Sequence, residues 1–191
     1  MWLAGEGLSA CQALAQFLKL GGEELVAVGE CGLDPKAHAS AELQTESLLT
    51  QLKLAEDFCL PLILHGRRPV HDETLKLLRR VRPSRGGVIH GFSGSLQQAR
   101  HYIELGFKLG VGGVITYPRA NKTRTVFREL ELEHLLLETD SPDMPLAGYQ
   151  GQRNEPLRVV EVFAELCRIR GETQQTVGGQ LEQNVQDLFG I

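Results

Sequence analysis

The chain has 191 residues, 42% hydrophobic and 23% charged, which is ordinary globular material bounded to one domain or part of a larger one. A formal net charge of −4 argues against the broad basic surface of sequence-independent nucleic-acid binders, so a nucleic-acid substrate would have to be held by local charge and metal. Cys11, Cys31, Cys59 and Cys167 form no C-x-x-C pair, which excludes a readable zinc knuckle or redox motif and predicts free thiols in a reducing cytoplasm. No apolar run approaches the roughly 18 residues of a membrane helix, so no membrane partner is expected.

Leu8-Ser9-Ala10-Cys11 imitates a lipoprotein cleavage site, but Glu6 precedes it and no basic residue does. Leu8, Cys11, Leu14, Ala15 and Leu18 instead recur at helical spacing, with Gly21 and Gly22 as stop signals. Short apolar runs then alternate with amphipathic stretches, the pattern of parallel strands joined by helical crossovers. The predicted strands are 25–29, 61–64, 87–89, 107–111 and 135–137, and their near-continuous hydrophobicity implies burial on both faces. Helices are predicted over 41–58 and 70–80. Another opens at the capping-box pair Ser95 and Gln98 and stops at Gly106. Pro156 and Gly171 frame a further helix, and a last one runs to about Phe189 across Gly178-Gly179.

Glu30, His65, His90 and Asp140 each stand where a predicted strand runs out, and in a parallel barrel those ends share the face that carries active sites. Alone, each of these residues reads most simply as a solvated loop or a hydrogen-bonded structural side chain. Together they are a donor set that Zn2+ and similar cations accept, and two histidines with a glutamate leave one position open for water. Bound water loses much of its proton affinity and becomes a nucleophile near neutral pH.

Val28-Gly29-Glu30-Cys31-Gly32-Leu33-Asp34, Leu64-His65-Gly66-Arg67, His90-Gly91-Phe92-Ser93-Gly94 and Leu137-Glu138-Thr139-Asp140-Ser141-Pro142 occur in this order, with Arg153-Asn154-Glu155-Pro156 after them. This succession resembles the signatures of the TatD family of metal-dependent hydrolases. The resemblance implies an α/β fold of partial TIM-type (β/α) barrel, the equivalents of strands four to eight with flanking helices, and one incomplete barrel domain over 1–191. It implies a deoxyribonuclease that cleaves phosphodiester bonds in DNA with a divalent metal, Mg2+, Mn2+ or Zn2+.

Carried over, Glu30 matches the carboxylate bridging two metals, His65 and His90 the histidines on the second metal, and Asp140 the aspartate beside the first. Asp140 would bind or deprotonate the attacking water. The family's first metal also uses a His-x-His pair, which this chain lacks, so one tightly bound metal is expected here instead of two. Cys31, Gly66 and Ser141 are minor departures that remove no ligand.

Arg67 and Arg68 are candidate phosphate clamps by paired hydrogen bonds, with a solvated loop as the simpler reading. Tyr117, Arg119 and Lys122 fall in a predicted loop that could track a nucleic-acid backbone. Asp34 reads as structural, and His38, His71, His101 and His134 as surface residues. Gly110, Gly112 and Gly113 do not fit a phosphate-loop spacing and read as a tight turn. Rival readings are an esterase or amidase acting on a small or aminoacyl substrate, and a catalytically impaired fragment that binds another chain. Open barrel edges predict self-association.

Overall fold

The computed structural model describes residues 8–21, 24–66 and 69–191. Five strands form one all-parallel sheet in chain order: β1 (Val28–Cys31), β2 (Leu62–His65), β3 (Gly87–His90), β4 (Phe107–Val111) and β5 (Leu135–Leu137). Among the described residues seven α-helices accompany them: α1 (Leu8–Leu20), α2 (Ala41–Asp57), α3 (His71–Val81), α4 (Leu96–Glu104), α5 (Asn121–Glu129), α6 (Val159–Arg170) and α7 (Gln174–Phe189).

Local chemistry explains the boundaries. The Ser40 hydroxyl caps α2 by accepting from Leu43 N–H, and Ser95 with Gln98 forms a reciprocal capping box at α4. Gly106 (φ 83°), Gly171 (φ 67°) and Gly190 (φ 74°) take the left-handed conformation just beyond α4, α6 and α7. Pro156 opens a 3-10 turn, Pro156–Arg158, that runs directly into α6.

Alternation along the strands divides their side chains between two faces. Leu62, Leu64, Ile89, Phe107, Leu109 and Leu135 belong to the main core, with Leu48 and Leu52 of α2, Leu75 and Leu78 of α3, and Val162 and Leu166 of α6. Ile63, Val88 and Leu136, of the intervening positions, form a second cluster with Val185, Leu188 and Phe189 at the end of α7. Asn184, fully buried, fixes α7 there by donating to the carbonyls of Leu132 (2.7 Å) and Leu135 (2.8 Å).

Three expectations are corrected. The first strand lies at Val28–Cys31, so Glu30 sits within it instead of after it. Lys122 belongs to the first turn of α5, a helix whose buried residues are only Val126 and Phe127 and whose apolar signal is therefore short. His71 is buried (1% exposed): its ring packs against Phe92 and Tyr102, and its Nδ1 lies 3.1 Å from the Tyr102 hydroxyl. His71, Thr74, Leu75 and Leu78 together form the inward face of α3.

Candidate active site

Glu30 owes its position to a break in the β1–β2 register. Gly29 pairs with Ile63 and Cys31 with Leu64, so Glu30 is the extra residue of a bulge, a device that re-aims a side chain at the end of a strand. Its Oε1 lies 2.5 Å from Nδ1 of His65, the last residue of β2. Gly32 makes this approach possible, because a Cβ there would stand 2.9 Å from the Cβ of His65. The hydrogen bond from His65 holds the Glu30 carboxyl below the usual glutamate range, against the opposing effect of burial. The charges of His90 and His65 lower it further, and that of Asp140 raises it, so all four sequence-predicted residues act on one another.

His90 ends β3 beside His65 in the strand register. Its Nδ1 is 2.6 Å from Glu138 Oε2 and its Nε2 is 2.9 Å from Asp140 Oδ1. Burial pulls its pKa down, but the hydrogen bonds to Asp140 and Glu138 and their charges outweigh that and raise it to about 10. In this state His90 is an imidazolium shared by two carboxylates.

Glu138, two residues before Asp140 in the same motif, is a site residue that the motif alone does not single out. Besides His90 it accepts the N–H of Gly91 (2.7 Å), and it occupies the space left by Gly110, where a Cβ would stand 2.3 Å from Oε2. Gly110 within β4 and Gly112 just beyond it therefore make room for a carboxylate. The signal available in the sequence was this pairing of closely spaced glycines with an acidic residue leaving the neighbouring strand.

Asp140 adopts a left-handed backbone (φ 57°), which aspartate tolerates better than most residues. Asn154, 2% exposed, holds the loop that carries it. Its amide donates to the carbonyls of Thr139 (2.7 Å), Asp143 (2.8 Å) and Met144 (3.3 Å), and its Oδ1 accepts the N–H of Glu155 (2.9 Å). Asp34 accepts the N–H of Lys36 and donates its own to Gln44, a structural part in its loop. Arg67 and Arg68 lie outside the described residues.

The donors suit a divalent cation in kind. His65 Nε2 is buried and has no hydrogen-bond partner among the described residues, while its Nδ1 is oriented by a carboxylate, as in metal-binding histidines. Among the described residues, however, no three donors converge on one point, because each carboxylate is turned onto an imidazole. The structure thus brings Glu30 to His65 and Asp140 to His90, with His90 already holding the proton that a cation would displace.

The sequence model of TatD-related DNases matches residues 7–190. The chain belongs to that family. It is 50% identical over 181 residues to the Escherichia coli K12 protein named uncharacterized metal-dependent hydrolase YjjV, an alignment covering 94% of this chain and 70% of YjjV. It is 34% identical over 175 residues to the Klebsiella pneumoniae 3'-5' ssDNA/RNA exonuclease TatD, covering 88% of this chain and 66% of that one. The crystal structure of E. coli YjjV superposes with a TM-score of 0.91 at 49% identity, over 95% of this chain and 70% of YjjV. A TatD-family hydrolase from Entamoeba histolytica, at 21% identity and TM-score 0.78, shares the fold over 93% of this chain and 67% of its own. The chain is therefore a TatD-family metal-dependent hydrolase sequence with the family's parallel (β/α)-barrel architecture in its five strands.

Proposed function

We propose that this protein hydrolyses phosphodiester bonds of single-stranded nucleic acid, DNA foremost, using a divalent metal. The observation that carries the reading is the placement of Glu30 with His65, and of Glu138 and Asp140 with His90, at the same end of the sheet. The substrate class is supported by a relative named as an ssDNA/RNA exonuclease.

Glu30, His65, His90 and Asp140 would hold the cation, which when bound supplies Lewis acidity and lowers the pKa of water. With no His-x-His in the sequence, one ion is expected, and to reach it the carboxylates would turn from the imidazoles they now face. Glu138 keeps the His90 ring oriented through Nδ1. Asp140, held beside His90 by its loop, is placed to take a proton from the attacking water.

The test is incubation of a labelled single-stranded oligonucleotide with metal-supplemented protein. Progressive shortening that chelator abolishes and that His65→Ala and Asp140→Asn both lose is expected. Turnover of small esters or amides with the oligonucleotide left intact would replace this reading with the esterase or amidase one.

A further inference from the structure

Two cavities lie among the segments that follow β2, β3, β4 and β5. One, of about 750 Å3, is walled by Val114, Ala120, Met144 and Pro145, with Tyr117 in its lining and Arg119 and Lys122 at its rim. The other, of about 720 Å3, is lined by Pro69, Gly94, Ser95, Leu96, Lys122 and Thr125. Asn121 and Lys122 line both, so Lys122 stands on the ridge that separates them. Ser93, in the first cavity, is three residues beyond His90, and Met144 is four beyond Asp140.

The chemistry of this ridge is specific. The Tyr117 hydroxyl donates to Pro145 O (2.7 Å), which pins the ring while leaving the side chain partly exposed. The Arg119 guanidinium lies 5.6 Å from the centre of that ring. Arg119 and Lys122 are exposed, and among the described residues neither pairs with a carboxylate, although acidic residues outnumber basic ones in the chain by 24 to 20. An apolar hollow with an aromatic in its wall, as the first cavity has in Tyr117, accepts a planar base, and the unpaired cation of Lys122, which lines both cavities, accepts the phosphate that joins two nucleotides.

We propose that these cavities seat two successive nucleotide units of a single strand, with one base against Tyr117 and the linking phosphate on Lys122, assisted by Arg119. This rests on the nucleic-acid reading of the site and specifies which part of the molecule holds the strand. A duplex would keep its bases stacked inside and could not fill either cavity.

The experiment measures fluorescence anisotropy of a short fluorescein-labelled oligothymidylate with the full chain in chelator, so that nothing is cleaved. Single strand is expected to bind more tightly than a duplex of equal length. Tyr117→Ala should weaken binding about tenfold and Tyr117→Phe should restore most of it, since stacking needs the ring alone. Lys122→Gln should flatten the dependence of log affinity on log salt by about 0.7, the loss of one single-strand phosphate contact. Lys53→Gln, which removes an exposed lysine of α2 remote from both cavities, should change neither. Should Tyr117→Ala fail to fold, exposed Lys122 still decides the matter through the salt slope. Equal affinity for duplex and single strand, an unaltered slope in Lys122→Gln, or absent binding by the parent protein would each overturn the proposal. Metal-dependent cleavage of a small phosphodiester, scored separately, judges the hydrolase reading. Its loss with strand binding intact would sink that reading alone, and its presence with unaltered variant binding would sink the subsite alone.

Discussion

Glu138 binds the imidazole of His90 and the N–H of Gly91 at once, so its two oxygens fix both the ring and the start of the following loop. Removing the charge in Glu138→Gln should lower metal affinity and activity about 10–100-fold, the usual effect of losing an outer partner of a ligand histidine. Gly110→Ala tests the same point from the other side. Its new Cβ would stand 2.3 Å from Glu138 Oε2, so the carboxylate must move, and a similar loss is expected. Chelator competition with a metal-sensitive dye reads both, and normal affinity in Gly110→Ala would show that Glu138 does not need its present place. Asn154→Ala leaves three carbonyls of the Asp140 loop without their donor and should cost about 3 kcal/mol in urea unfolding. A loss of only a few tenths would mean that water replaces the amide.

At the scale of elements, α5 matters because Asn121 and Lys122 sit on its first turn, and two arginines hold it. Arg170 of α6 donates to the carbonyls of Phe127 (2.7 Å) and Leu130 (2.6 Å) at its C-terminal end. Arg124 reaches Ile115 O (2.8 Å) and the Glu165 carboxylate (2.6 Å). The Glu165 carboxyl lies below its ordinary range chiefly because Arg168 hydrogen-bonds to it, with Arg124 adding its charge. A depressed folded pKa means that this contribution is complete above the unfolded value of about 4.3 and disappears as pH falls through the folded one. Glu165→Gln should therefore cost about 1 kcal/mol at neutral pH and less below about pH 4. Chemical denaturation across that range should show the two curves drawing together in acid; a constant gap would contradict it.

Strands and helices with long apolar stretches were legible in the sequence: 107–111 and 135–137 are observed as expected, and the Ser95 capping box is present. What was not legible depends on partners distant in the chain. Glu30 is in register with no residue of β2, and alternation cannot announce a bulge. Helix α5 buries just two adjacent residues, too few to display a period. His71 and Asn154 are polar residues whose burial becomes intelligible only once Tyr102 and the Asp140 loop are seen beside them. Gly178 and Gly179 lie inside α7, as the sequence places them. A Cβ at Gly179 would meet nothing within 4 Å, so Gly179→Ala should stabilise the protein by about 0.5–1 kcal/mol in thermal unfolding. An unchanged or lowered midpoint would show a contact at that position that the helix geometry does not reveal.

For the whole molecule, the sheet ends at β1 and β5, which have no further strand beside them among the described residues. Phe17 (60% exposed), Leu20 (86%) and Val26 (37%), all on the stretch leading into β1, add apolar surface near one of those ends. Unpaired strand edges with apolar borders recruit other chains. Sedimentation velocity should show association that grows with concentration, whereas one monomeric boundary over a wide concentration range would contradict it.

The strand order β1-β2-β3-β4-β5 also bears on how the chain acquires its shape. Each strand hydrogen-bonds to the one made just before it, so during synthesis every new strand finds its template already in place, and no pairing must wait for a distant segment. The exception is α7, made after all five strands, whose Val185, Leu188 and Phe189 reach back to Ile63 and Val88. The growing chain can therefore assemble its sheet one step at a time, while the seal of α7 over its early strands forms only once α7 itself has been made.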